Sequence, residues 1–310
     1  MRLLVVGAGA TGGYFGGRLA AVGRDITFLV RPRRADRLKA EGLQILSPHG
    51  NLTLKPQLAI AGDITEPFDA LLLSVKAFSL DQAIDDIALG VGTETMIVPV
   101  LNGMKHIDVL RARFGDSAVV GCACRIASAV DEEGRIIQLT GLHDLAYGEM
   151  NGVLSARIKR LDDFMQSAGF NATLSPSIEC EMWEKWVMLA TVGAVNCLMR
   201  GTIGEVVAAS GGVRFALQVL GEVVATVTAL GHPPSQQFVA STLEFVTAKN
   251  SSATSSMYRD MLRGSHVEAD QIIGDLLARA RLADVPTPML ETAYAHLCVY
   301  QNRVIAEPQT

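Results

Sequence analysis

The chain is expected to fold as an α/β protein in two parts, a doubly wound and mostly parallel sheet followed by an all-α domain. Three observations predict this. Short apolar runs alternate with helical stretches along the N-terminal third. Those runs are nearly unbroken in apolar residues, the pattern of strands covered on both faces. Beyond Pro176 only long helical patterns remain. A length of 310 residues also suits two cores, because a single core stops growing at about 250–300 residues.

In order, residues 3–6 read as a strand, 12–22 as a helix, 25–30 as a strand and 35–41 as a helix, which is βαβ punctuation. Further strands are expected at 69–75 and 96–101. From 121 to 148 the pattern becomes strand, the turn Asp131-Glu132-Glu133-Gly134, strand, and one more strand at 144–148. This is an antiparallel extension, and the sheet is expected to end there. A helix at 154–168 leads to the loop around Pro176, after which helices are expected at 179–199, 212–230 and 256–281, the last interrupted by Gly264. The boundary is placed at 172, giving a sheet domain over 1–172 and a helical domain over 173–310. The tail from Glu307 is expected to fray.

Composition narrows the function classes. With 49% hydrophobic and 19% charged residues the chain has the means to bury a core, which excludes disorder. A net charge of -5 gives no bulk attraction for nucleic acid or anionic lipid. No uncharged apolar run reaches the roughly 18 residues of a spanning helix, so no membrane role is expected. The first strand leaves no room for a leader peptide, which points to the cytoplasm. The five cysteines, Cys122, Cys124, Cys180, Cys197 and Cys298, lack metal-ligand spacing and are expected to be buried thiols. No metal site is expected.

Gly7-Ala8-Gly9-Ala10-Thr11-Gly12 follows the first strand and opens the first helix, the setting in which a G-x-G-x-x-G pattern cradles a dinucleotide pyrophosphate. Gly7 permits the turn, Gly9 admits the phosphates, Gly12 lets the helix pack close, and the N–H groups around Ala10 and Thr11 face the anion. An NAD site wants an acidic residue at the end of the second strand. This chain has Arg31 there, with Arg33 and Arg34 close by, and a guanidinium suits the 2′-phosphate of NADP(H). Three arginines on a loop are also compatible with solvated charge alone.

Lys76 and Asn102 end two predicted parallel strands, at the edge where ligands bind in such sheets, and both are candidates for cofactor or substrate contacts. Each also suits ordinary loop chemistry, Asn102-Gly103 being a good turn dipeptide. In the helical half, Lys185 stands between Trp183 and Trp186 on an apolar helix. It reads either as a proton donor or as the partner of Glu181 one turn earlier. Asn196 lies about three turns further on nearly the same face. Ser256 opens a later helix that carries Glu268, and is either a ligand group or that helix's N-cap.

Taken together, the glycine loop, Arg31, Ser74-Val75-Lys76-Ala77, Leu101-Asn102-Gly103, Trp183-Glu184-Lys185-Trp186, Ser255-Ser256-Met257 and Glu268 make the chain resemble ketopantoate reductase (2-dehydropantoate 2-reductase) over nearly its whole length. The glycine loop is common to many dehydrogenases. The lysine helix followed by Ser-Ser-Met and a glutamate twelve residues after the second serine is far more specific.

The resemblance implies a Rossmann domain, an all-helical domain and NADPH-dependent reduction of a small 2-keto acid, ketopantoate to pantoate, on the route to pantothenate. It implies Lys185 as general acid and Glu268 as hydrogen-bond partner of the substrate hydroxyl. Ser256 and Asn102 would hold substrate, and Lys76 would stand where cofactor and substrate meet. The apolar helices offer surface for a homodimer. One departure stands out: the family carries asparagines four and eight residues after the lysine, where this chain has Leu189 and Gly193. Asn196 is the candidate substitute. A site short of polar groups recognises a hydroxylated substrate less well, so a related reductase of another 2-keto acid is the alternative. A non-catalytic NADP-binding regulatory protein is the second.

Overall fold

The computed structural model describes residues 1–306; the expected fraying from Glu307 lies outside them. The chain divides into two compact units, the first made of Met1–Leu101 and His106–Glu179, the second of Asn102–Lys105 and the chain from Cys180 onward.

The first unit opens with β1 (Arg2–Val6), α1 (Ala10–Ala21), β2 (Asp25–Leu29), α2 (Pro32–Glu41), β3 (Leu43–Leu46), β4 (Leu52–Leu54), β5 (Gln57–Ala59) and β6 (Ala70–Leu73). It continues with α3 (Leu80–Ile87), β7 (Met96–Pro99), α4 (Lys105–Phe114), β8 (Val120–Val130), β9 (Ile136–Glu149), α5 (Ala156–Met165) and β10 (Asn171–Leu174). Five strands form a parallel sheet in the order β5-β2-β1-β6-β7. Its apolar runs are buried on both faces: Leu3, Leu4, Val5, Leu71, Leu72 and Leu73 are all fully enclosed. The chain moves outward from β1 to β2 and β5, then returns to the other side of β1 with β6 and β7. The order therefore reverses between β1 and β6, the switch point where open sheets bind ligands beyond their carboxyl ends.

A second sheet has the order β10-β9-β3-β4, with β8 paired antiparallel to β9 from Val120↔Glu149 to Val130↔Ile136. Two expectations change here. The separate strand at 144–148 is the end of the continuous 14-residue β9. Nor does the sheet stop there, because β10 adds to β9 in parallel after α5. The first unit accordingly runs through residue 172 to Glu179. Cys122 and Cys124 share a buried face of β8, whereas Cys180 is exposed, contrary to the reading of five buried thiols.

The second unit holds α6 (Ile178–Met199, from Cys180), α7 (Ile203–Ala208), α8 (Gly212–Ala229), α9 (Gln236–Val246), α10 (Ser256–Leu262), α11 (Asp275–Leu282) and α12 (Pro288–Ala306). Helices α7, α9, α11 and α12 pack on α8. By length and composition α8 is apolar enough to cross a membrane, but it carries Arg214 and Glu222. Glu222 has a structural use: its carboxylate accepts the N–H groups of Met289 and Leu290 at 2.9 Å each, satisfying the open first turn of α12. The helix expected over 256–281 is broken into α10, a loop through Gly264, a π-helical turn at Asp270–Gly274 and α11.

Candidate active site

The glycine loop is built by close approach. Gly7 has φ +96°, and a Cβ there would lie 2.6 Å from the Ser74 carbonyl oxygen at the end of β6. A Cβ on Gly12 would run into the Gly7 carbonyl and lie 2.7 Å from Ser74 Cβ. Only glycine lets loop, helix and strand end close up in this way. Gly9 is different: a Cβ there would meet nothing within 4 Å. It is also the N-cap of α1, and no side chain caps that end, so the first-turn N–H groups around half-buried Ala10 and Thr11 are left for a ligand. An open, uncapped helix start at the sheet's switch point fits the pyrophosphate of a dinucleotide.

Two polar candidates, Arg31 and Lys76, follow strands of this sheet. Arg31 follows β2 as the N-cap of α2, is exposed, and donates from Nη2 to Ser79 Oγ at 3.4 Å. Lys76 follows β6 as the exposed N-cap of a 3₁₀ turn at Ala77–Ser79. Ser79 was not singled out by the sequence, yet it ties the β2 and β6 loops together through Arg31. Arg34, expected only as a neighbour of Arg31, has a structural use. Half-buried, it donates to Ala8 O at 3.3 Å and Gly134 O at 3.0 Å, bracing the glycine loop against the β8–β9 turn, and burial lowers its pKa. Arg33 is exposed.

In the second unit, the neighbours of Lys185 lock α6 in place. Trp183 stacks on His232 with ring centres 4.1 Å apart. Glu184 Oε1 accepts from the Ser235 N–H at 2.9 Å and hydroxyl at 2.8 Å. The Trp186 indole donates to Ile272 O at 2.9 Å, and Arg279 lies over both tryptophan rings. Both tryptophans are buried while Lys185 stays half-exposed. Three anchored residues on either side of Lys185 thus hold the stretch of α6 that carries it.

The segment that receives Trp186 is the π turn, and Glu268 lies just before it. Glu268 is 6% exposed and accepts from Asn102 Nδ2 at 3.3 Å. Gly103 sits so close to the Gln271 carbonyl that no side chain fits there. The Asn-Gly dipeptide is therefore spent on bringing Asn102 to Glu268, 166 residues apart in sequence. A π turn widens a helix locally and is common at functional sites.

Ser256 and Asn196 divide differently from expectation. The N-cap of α10 is Ser255, whose Oγ accepts the Tyr258 N–H at 3.0 Å, so capping does not consume Ser256, which stays half-exposed. Asn196 has a structural use. It is fully buried, donates to Gly201 O at 2.8 Å and accepts the Ser255 N–H at 2.8 Å, joining the end of α6 to the start of α10. Beyond Lys185, Leu189 is half-buried, and a Cβ on Gly193 would lie 2.8 Å from Met257 Cε, so a thioether fills that place.

One unit with an open glycine loop on a parallel sheet, and a helical unit that carries a lysine and a buried Asn–Glu pair, are the parts of an oxidoreductase built on a dinucleotide-binding fold. Family models for ketopantoate reductase PanE/ApbA match residues 3–152, and for its C-terminal part residues 177–301. The chain belongs to the ketopantoate reductase family. It is 36% identical over 97% of its length to the uncharacterized oxidoreductase YkpB of Bacillus subtilis strain 168, covering 99% of that protein. A 2-dehydropantoate 2-reductase of Mesorhizobium japonicum is 27% identical over 95% of this chain and 96% of its own. The crystal structure of 2-dehydropantoate 2-reductase from Geobacter metallireducens GS-15 superposes with TM-score 0.87 at 25% identity, covering 96% of this chain and 99% of that one.

Proposed function

We propose that the protein reduces a 2-keto acid to the 2-hydroxy acid with NADPH, 2-dehydropantoate being the first candidate substrate because relatives carry that activity in their names. The observation that carries the reading is Lys185, an accessible ammonium on a helix locked by its own neighbours. A reduced nicotinamide, when bound at the glycine loop, would be the source of the hydride for the keto carbon. Lys185 Nζ supplies the proton to the carbonyl oxygen, and its positive charge stabilises the alkoxide that develops there. Glu268, oriented by Asn102, accepts a hydrogen bond from the hydroxyl that forms, and Ser256 donates to the substrate. The uncapped start of α1 holds the pyrophosphate, Arg31 the 2′-phosphate, and Lys76 the neighbouring cofactor and substrate groups.

NADPH oxidation followed by absorbance with 2-dehydropantoate and a panel of other 2-keto acids tests the reading. Turnover of any of them supports it; binding of NADPH without turnover overturns it. A second reading, in which the substrate is a different 2-keto acid, is favoured by Leu189 and by the thioether packed on Gly193.

A further inference from the structure

We propose that the side chain of the keto acid is apolar, and that Leu189 and Met257 select it. This rests on the reading that Lys185 protonates the substrate carbonyl. Residues four and eight positions after a helical residue share its face, one and two turns along the axis. On α6 those residues are Leu189 and Gly193, so they flank whatever carbonyl Lys185 serves. Leu189 is half-buried and offers only methyl groups. At Gly193 the missing side chain is replaced by Met257 Cε, 2.8 Å from where a Cβ would stand.

Met257 is not a loose filler. It is 2% exposed and sits two residues after Ser255, which caps α10 and is tied to α6 through Asn196. The thioether is therefore delivered to Gly193 by a buried hydrogen bond. The helix backbone adds no free donor or acceptor in mid-helix, because those groups are bonded within the helix. The strip of α6 beyond the ammonium thus offers the Leu189 isobutyl group, backed by the Met257 thioether packed on Gly193, and no polar side chain at either position. A hydroxyl placed against it would give up its bonds to water and find no partner, whereas an alkyl or aryl group would be buried at no such cost. The reaction keeps its balance: hydride to C2, proton from Lys185 to the oxygen, and an unchanged apolar side chain on the product.

Two keto acids that differ in one hydroxyl test this: 2-dehydropantoate and its deoxy counterpart, 3,3-dimethyl-2-oxobutanoate. With NADPH saturating, kcat/KM is expected to be about 10- to 100-fold higher for the deoxy acid. Equal values, or a preference for 2-dehydropantoate, overturn the inference while leaving the reductase reading intact. Absence of turnover with both and with every other 2-keto acid sinks the reductase reading, and the inference with it. Leu189→Asn is expected to swing the ratio about tenfold toward 2-dehydropantoate with NADPH affinity, read by fluorescence, unchanged. An unchanged ratio removes Leu189 from the selecting surface. If Leu189→Asn does not fold, Met257→Gln is read in the same assay with the same two outcomes.

Discussion

The two units assemble their candidate sites from different materials. In the first, a ligand would be met by backbone: Gly7 and Gly12 close the loop, Gly9 leaves it open, and the start of α1 offers N–H groups that any residue carries. In the second, a substrate would be met by side chains delivered from distant places in sequence, Asn102 to Glu268 across 166 residues and Ser256 to α6 through Ser255 and Asn196. A backbone site fails when something is added to it. A side-chain site fails when something is removed.

The sharpest break of that contrast is Lys185→Ala. Loss of a positioned proton donor is expected to lower kcat by about 10²–10⁴, with NADPH affinity little changed. Near-normal turnover would remove Lys185 as the acid. In the first unit the equivalent break is an addition. Gly12→Ala forces a methyl group into the Gly7 carbonyl and against Ser74, so the loop must shift. Misplacement on that scale costs about 10²-fold, here read as a rise in the NADPH dissociation constant. Unchanged affinity would mean that the loop is not the phosphate cradle. Arg31→Ala, a removal in the first unit, is expected to act more narrowly. It lowers the preference for NADPH over NADH by roughly 10-fold, the value of one charge-assisted contact, and leaves NADH affinity alone.

The same contrast explains what the sequence disclosed. The parallel sheet and glycine loop were legible because their signals are local: unbroken apolar runs, a six-residue pattern and its position between strand and helix. β3, β4, β5 and β10 were not, since each has only three or four residues and none forms a long apolar run. The second strand after the acidic turn was split in reading because Thr140-Gly141-Leu142-His143 breaks its apolar pattern, though β9 runs through it. In the helical unit, the family resemblance pointed to Lys185 and Glu268, but no spacing rule tells that Asn196 bonds backbone, that Ser255 rather than Ser256 is the cap, or that Met257 fills the place beside Gly193. Those facts depend on how helices pack.

Asn196→Ala sharpens the distinction between holding substrate and holding structure. It leaves the Gly201 carbonyl and the Ser255 N–H buried without their partner, at about 1–3 kcal/mol for each group. The expected result is a lowered Tm, with NADPH affinity retained at temperatures where the variant is folded. A fall in kcat/KM without loss of Tm would instead make Asn196 a substrate ligand.

The smallest effect belongs to the scaffold of the first unit, and pH reads it out. His143 lies in β9, bonds the Tyr14 hydroxyl of α1 at 2.8 Å, and stacks on His49 with ring centres 3.8 Å apart. Burial is the chief reason its pKa lies below the ordinary histidine value, and the charge of His49 adds to it. The folded chain therefore takes up this proton at a lower pH than the unfolded chain. Stability from this group is complete above the unfolded value of about 6.5 and is lost as pH falls through the lower folded value. The urea midpoint should fall across that range, and His143→Gln, uncharged at every pH, should flatten the fall. An equal slope in the variant would place the acid sensitivity elsewhere. A flattened one would show that the helix opened by the glycine loop is held to β9 by a ring that must stay neutral.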